Sequence, residues 1–547
     1  MGNYTDGLTL DEQIGQVLAV GFPGITPSQD VSDLVRDNHI GNIILFSRNI
    51  QDARQTLALT NSLQMLAQKA GQRFPLLIMA DQENGIVHRL GPDATTFPGN
   101  MALGATHSED ITRAVGQATG EELHALGINV NLAPVADVNN NPANPVIGVR
   151  SFGEDPCQVA RFVDAAVQGL HNAGIICTLK HFPGHGDTAT DSHLALPTIP
   201  YDMQRLETLE LVPFKSGIAA GADCVMTAHI AFPAITGQDA LPATLSPAIV
   251  RELLRRQLGF NGVIISDCLE MDAVAATIGS ERAAVMALQA GIDLVLVSHR
   301  LDRQRTAFAA IRAAVQNGTL TLEMVTEAAE RVMQLKARYL SWETIPSPTT
   351  IEMPIQISSE SHQRLSDEAY ALSTTLIRDE DALLPLCLKP TERIVVISAG
   401  RATMTKVEDK FYSDELLAAI LRQYWPRVDL VPISDLVVDE DSAEILQAAS
   451  HTDVIVMATV NAHLDRLQAR LMRALVQSGR RVIGIAVRNP YDLLAFPQLR
   501  TSIVTYEYTR SALVAAARVL FGEQEASGQL PVSLPGLYPG GYRWHQS

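Results

Sequence analysis

The densest chemistry in the chain lies in Lys180-His181-Phe182-Pro183-Gly184-His185-Gly186-Asp187-Thr188-Ala189-Thr190-Asp191-Ser192-His193. Three histidines, two aspartates and a lysine are interleaved with two glycines and a proline. Titratable groups this close would repel or desolvate one another in a core, and Pro with Gly rules out a helix. A loop held at a reaction site is their natural home. Asp191 and His193 stand at i, i+2, so the carboxylate can orient the imidazole for proton transfer, or both can sit on a solvated surface loop. Lys180 could form a Schiff base. His181, His185 and Asp187 could hold a metal, but the His181–His185 spacing lacks the helix that a HExxH site uses, and packing roles fit His185 and Asp187 better.

A second cluster, Ser266-Asp267-Cys268-Leu269-Glu270-Met271, offers a carboxylate nucleophile, an electrostatic stabiliser, or an N-cap for the next helix. Glu270 and Asp272 compete for the role, and Cys268 has no identifiable basic partner that would make it a thiolate. Asp81, Arg89 and Arg150 add donors and an acceptor of the kind that several vicinal hydroxyls on a sugar require.

These residues sit at the ends of recurring elements. Short apolar runs at 16–22, 43–46, 76–80, 128–134, 175–179, 224–228, 263–265 and 294–297 read as buried parallel strands, with helical patterns between them. Eight such alternations predict a (β/α)8 TIM-like barrel. Asp81, Lys180, His181, His229 and Asp267 then fall just beyond strand C-termini, where barrel enzymes build their sites. A Pro- and Thr-rich break follows at 342–354, and five further strands alternating with helices predict a C-terminal three-layer α/β/α sandwich domain. The expected division is a barrel at 1–341, a linker at 342–358 and the sandwich at 359–547. No GxGxxG or GxxxxGK[ST] follows a strand, which removes dinucleotide and P-loop readings.

The bulk composition narrows the class. At 547 residues with 46% apolar side chains, the chain can bury large cores. A formal charge of -18 argues against nucleic acid or an anionic membrane as partner. Five scattered cysteines without CxxC spacing form no disulfide or zinc framework and fit a reducing compartment. Residues 1–6 show no signal-peptide pattern and no run approaches a membrane span, so a cytoplasmic location is expected.

Taken together, Asp81-Gln82-Glu83, Arg150-Ser151-Phe152-Gly153, Lys180 through Gly186 with Asp191-Ser192-His193, and Ser266-Asp267 followed by Leu269 and Met271 resemble glycoside hydrolase family 3, and within it the β-N-acetylglucosaminidase branch. The similarity runs from residue 8 into the second domain, where Asn489-Pro490-Tyr491-Asp492 and Gly528-Gln529-Leu530-Pro531-Val532 also match. The resemblance implies a retaining exo-β-N-acetylglucosaminidase with no metal or organic cofactor, acting on peptidoglycan- or chitin-type fragments. It implies Asp267 as nucleophile, His193 paired with Asp191 as acid/base, and Asp81, Arg89, Arg150, Lys180 and His181 as sugar-binding residues, with His229 a weaker candidate. The chain departs from the family pattern at Asn84, where Gly is typical, and at Cys268. Rival readings are a β-N-acetylglucosaminide phosphorylase, a β-glucosidase-type member whose acid is a second-domain Glu, and a catalytically silent sugar-binding protein. Because His193 must reach a leaving-group oxygen, its loop is expected to be mobile and glycine-hinged.

Overall fold

The structure is a computed structural model that describes residues 3–188, 196–237, 241–343, 345, 354–398, 408, 413–433 and 452–545. Among these residues the first sheet has eight parallel strands: β1 (Leu18–Val20), β2 (Asn42–Leu45), β3 (Leu77–Ala80), β4 (Val130–Asn131), β5 (Ile176–Phe182), β6 (Cys224–Thr227), β7 (Val263–Ser266) and β8 (Val295–Val297). Neighbours pair in sequence order, β1 also pairs with β8, and a parallel bridge between Ile265 and Leu294 joins β7 to the last strand. The sheet therefore curls into a barrel.

Why the strands close on themselves follows from their side chains. Almost every strand residue is buried, so each strand needs cover on both faces. Ala19, Ile44, Met79, Val130, Ile176, Met226, Ile265 and Leu296 form one cluster inside, joined from below by Val332 and Leu335 of the helix Leu322–Tyr339. Their alternates, such as Val20, Ile43, Ile78 and Val295, belong to a separate cluster with the surrounding helices. The period of two sorts one sequence into two cores. A representative outer helix, Pro156–Asn172, starts at Asp155, whose side chain accepts the Gln158 N–H, with Pro156 in its first turn.

The second sheet has the order β11-β10-β12-β13-β14-β9, with β9 (Thr375–Asp379), β10 (Ile394–Ser398), β11 (Val428–Pro432), β12 (Val454–Thr459), β13 (Arg481–Ala486) and β14 (Thr501–Val504). Five strands are parallel and β9 runs antiparallel beside β14. The sequence pattern had no place for β9, whose short run ends in the charged Arg378 and Asp379. Both are buried through specific partners: Arg378 donates to the Pro497 and Leu499 carbonyls, and Asp379 accepts from Leu383 and Leu384 N–H. Apolar clusters cover both sheet faces, and one of them is shared between the domains. Ile86, Val87, Met101, Ala102, Ala105 and Val149 of the barrel's loops pack there with Tyr491, Leu493, Tyr506 and Leu530.

Candidate active site

A cleft of about 700 Å³ opens at the C-terminal end of the barrel. It is lined by Asp81, Arg89, Arg150, Lys180, His181 and Asp267, together with Arg48, His185, Glu270, His299 and, from the second domain, Glu408. All six expected site residues among the described residues thus meet around one cavity. Asp191 and His193 lie outside the described residues, as does the outer part of the loop expected to move.

Each side chain is placed by the strand end beneath it. Asp81 follows β3, and the next residue is fastened by Asn131 at the end of β4, whose side chain accepts from Gln82 N–H at 3.0 Å and donates to its carbonyl at 3.0 Å. Gln82 in turn accepts the Arg89 N–H at 2.7 Å. Asn84 adopts φ +68°, the left-handed region that glycine favours and asparagine tolerates, so the departure from the family's usual glycine preserves the bend. Lys180 and His181 belong to β5 itself rather than to the loop after it. Asp267 follows β7, where the Cys268 N–H donates to its Oδ1 at 2.7 Å and orients the carboxylate.

The cleft floor is a chain of ions, three of them buried and Asp81 partly exposed. Lys180 Nζ lies 2.6 Å from Asp81 Oδ1 and 2.7 Å from Glu83 Oε1. Arg150 grips Glu83 with two parallel bonds of 2.8 and 2.7 Å. Burial pushes the Glu83 carboxyl up, but Arg150 and Lys180 outweigh it and hold the group far below the usual carboxylate range. The same pairings keep Arg150 and Lys180 protonated against their own burial. Arg150 Nη2 approaches His181 Nε2 at 3.4 Å, while His181 Nδ1 lies 2.8 Å from Asp137. That pattern puts the ring proton on Nδ1 and leaves Nε2 as an acceptor.

Asp137 is the hidden organiser of the opening stretch. It accepts the His181 Nδ1–H and the backbone N–H groups of His181 and His185, the last at 2.7 Å. Despite complete burial, which raises it, its carboxyl is held below the ordinary range by His181 and His185. His185 itself is bonded to Thr188 Oγ1 at 2.8 Å, and burial followed by the nearby His181 lowers it to about 4. Asp187 lies 3.0 Å from Arg205. The glycines of this stretch serve close packing: a Cβ on Gly186 would lie 1.6 Å from the Val138 carbonyl oxygen, and one on Gly184 would lie 2.9 Å from Glu210 Cβ.

His229 has a role other than sugar binding, and Cys268 is the non-nucleophilic thiol expected from its sequence surroundings. His229 is buried below the cleft, between Thr244 Oγ1 at 2.9 Å and the Cys268 carbonyl at 3.0 Å, so it props the loop carrying Asp267. The Cys268 thiol is pushed up to about 12 by burial and by Glu270, which makes it a packed thiol rather than a nucleophile.

Such a floor can fix several hydroxyl groups at once, and Asp267 presents a carboxylate across the same cavity. A family model described as the Glycosyl hydrolase family 3 N terminal domain matches residues 9–335, and its C-terminal domain counterpart matches 374–538. The chain belongs to glycosyl hydrolase family 3. It is a glycoside hydrolase acting on carbohydrate. Among its relatives, Beta-hexosaminidase A of Pseudoalteromonas piscicida is 32% identical over 96% of this chain and 97% of that protein. A Beta-hexosaminidase of Xylella fastidiosa is 37% identical over 52% of this chain and 83% of its own length. A solved family 3 β-N-acetylglucosaminidase from Paenibacillus sp. str. FPU-7 superimposes with a TM-score of 0.91 at 39% identity, covering 96% of this chain and 99% of that one.

Three groups at the family 3 cleft escaped the sequence reading as individuals. Glu83 lay inside a quoted motif, but nothing in its spacing showed that it joins Lys180 to Arg150. Asp137 carries no local signal at all. Glu408 comes from the other domain, with its side chain fully buried against Arg488, so it walls the cleft. Among the described residues no helix is long and apolar enough to cross a membrane.

Proposed function

We propose that the protein is a retaining exo-β-N-acetylglucosaminidase that removes terminal GlcNAc from peptidoglycan- or chitin-derived fragments. The observation that carries this reading is the opposition of Asp267, at the end of β7, to the fixed Asp81–Lys180–Glu83–Arg150 floor in one cleft. The full-length similarity to a protein named β-hexosaminidase supports the choice of sugar.

Asp267 attacks the anomeric carbon from one side while the sugar hydroxyls are held by the floor. His193, oriented by Asp191, gives its proton to the departing glycosidic oxygen. The same imidazole then takes a proton from water, which displaces Asp267 and restores the starting configuration. Imidazole suits both steps near neutrality because its ordinary pKa is about 6.5. The hidden histidines do not compete, since His181 and His185 are bound to Asp137 and Thr188. In this scheme the chemistry lies in the barrel at 1–341, and the second domain packs against Val149, the neighbour of Arg150. Five unpaired cysteines support a reducing, cytoplasmic setting.

The test compares aryl β-GlcNAc with aryl β-glucoside, in phosphate and in phosphate-free buffer at matched pH. Preferential hydrolysis of the GlcNAc substrate, independent of phosphate, is expected. Equal or greater turnover of the glucoside, or GlcNAc-1-phosphate as product, would overturn it. His193→Ala should slow chitobiose, with its poor leaving group, far more than an activated aryl glycoside.

A further inference from the structure

The barrel's N-terminal end, opposite the cleft, carries a second cluster with a different chemistry. His171 in the last turn of the helix Pro156–Asn172, Cys177 in β5 and Asp223 just before β6 converge there. His171 Nε2 lies 2.8 Å from Asp223 Oδ2, Cys177 Sγ lies 3.5 Å from that nitrogen, and Cys177 Sγ lies 3.7 Å from that oxygen. Among the described residues this is the one group of three potential metal ligands drawn this close.

We infer that His171, Cys177 and Asp223 form a binding site for a tetrahedral divalent cation of the zinc class, separate from the reaction centre. Zinc takes nitrogen and oxygen ligands at about 2.0–2.2 Å and thiolate at about 2.3 Å. Two ligands at those lengths and a tetrahedral angle stand roughly 3.3–3.6 Å apart. Of the two distances to sulfur, the one to nitrogen, 3.5 Å, lies in that range, and the one to oxygen, 3.7 Å, lies just above it. The shorter nitrogen–oxygen distance is the length of a hydrogen bond whose proton the cation would replace.

The surroundings suit the ligands. Thiolate and carboxylate together balance a double positive charge. Cys177 and Asp223 are buried, whereas His171 is 23% exposed, so a water can complete the tetrahedron from the solvent side. Asp223 Oδ1, the oxygen turned away from the cluster, accepts from Tyr339 OH at 2.8 Å and fixes the carboxylate's direction. Arg338 lies 3.4 Å from the same oxygen, but its side chain is 65% exposed and its charge is screened by water. Burial raises the Cys177 thiol well above its ordinary value, so the cation enters by displacing that proton. One S–H bond breaks, one S–metal bond forms, one proton leaves to solvent, and no oxidation state changes. His171 offers the Nε2 lone pair once its proton moves to Nδ1.

Such a site would tie the helix Pro156–Asn172 to the starts of β5 and β6 without touching the cleft. The test uses the full chain with the exposed Cys157 and Cys387 changed to serine, treated with chelator and titrated with Zn²⁺ or Co²⁺. One equivalent should be retained. The Co²⁺ form should show a thiolate-to-metal charge-transfer band in the near ultraviolet, and the melting temperature should rise by a few degrees. Cys177→Ser should abolish the band. His171→Asn, on the partly exposed side, should lose stoichiometric retention, with its fold checked by the metal-free melting transition. Aryl-glycoside hydrolysis should be the same with and without the ion. Retention no greater than in Cys177→Ser, or a band that survives that substitution, would overturn the inference and leave a hydrogen-bonded buttress.

Discussion

The two ends of the barrel are built from similar parts and behave differently. At the C-terminal end, Asp81, Glu83 and Asp137 face Lys180, Arg150 and His181 beside an open cavity. At the N-terminal end, Asp293 is held by Arg255 and by Arg331 at 2.9 Å, and Lys336 caps the barrel through Gln16 Oε1 at 2.7 Å and the Gly41 carbonyl at 2.8 Å. Both ends bury charges and both give them polar partners. The difference is what the charges are aimed at. Below, they close backbone and side-chain groups of the barrel itself; above, the same pairings hold donors and acceptors rigid at the wall of a cleft. A buried ion pair is weak evidence for stability in itself, because desolvation offsets much of its attraction. Its value at the upper end is a fixed direction for each polar atom.

That contrast can be broken by substitution at either end. The largest effect is expected for Asp267→Ala, which should lower kcat on the order of 10⁴-fold or more with little change in melting temperature. Substantial residual turnover would remove Asp267 from the nucleophile role. Next, Glu83→Gln should cost roughly 3–5 kcal/mol in denaturant unfolding, since it leaves the buried Arg150 and Lys180 short of a partner, and Asp293→Asn should cost less, since Arg255 and Arg331 are partly exposed. Only Glu83→Gln should also reduce the kcat/KM of the folded enzyme. If Asp293→Asn lowers the activity per folded molecule equally, the two ends are not functionally distinct.

The smallest effect concerns pH. Burial lowers Lys336 from 10.5 to about 7. Above pH 7 the folded lysine is neutral while the unfolded one still binds a proton. The cost of burying it is therefore full below pH 7 and is relieved as pH rises toward 10.5. Melting temperature measured from pH 7 to 10 should rise more, or fall less, for the wild type than for Lys336→Met. Parallel curves would show that the lysine keeps its proton in the fold.

Much of the catalytic face was legible because it is local. Strand ends followed by Asp81, Lys180, His181 and Asp267 could be read from apolar runs and the polar residue next to each. The C-terminal ends of parallel barrel strands all point to one face, so such residues must meet. Glu83 and Asp137 were not legible, because their partners lie 97 and 44 residues away respectively. His229 misled for the same reason: a histidine beyond a strand end can point into the cleft or, as here, under the next loop. Strand β9 was missed because its short run ends in charged residues whose buried partners are known only from the fold.

By itself, then, the sequence determined the period of each strand, the number that closes the barrel, the polar residue at each strand end and the family to which they belong. Those follow from patterns no longer than a few residues, or from short motifs. Tertiary structure decided which of these polar groups are tools and which are supports. It set His185 under Asp137, His229 under Cys268, and Glu83 between Lys180 and Arg150. A side chain's chemistry is fixed by its type, but its role depends on which oppositely charged or hydrogen-bonding neighbour reaches it first, and that neighbour arrives from elsewhere in the chain.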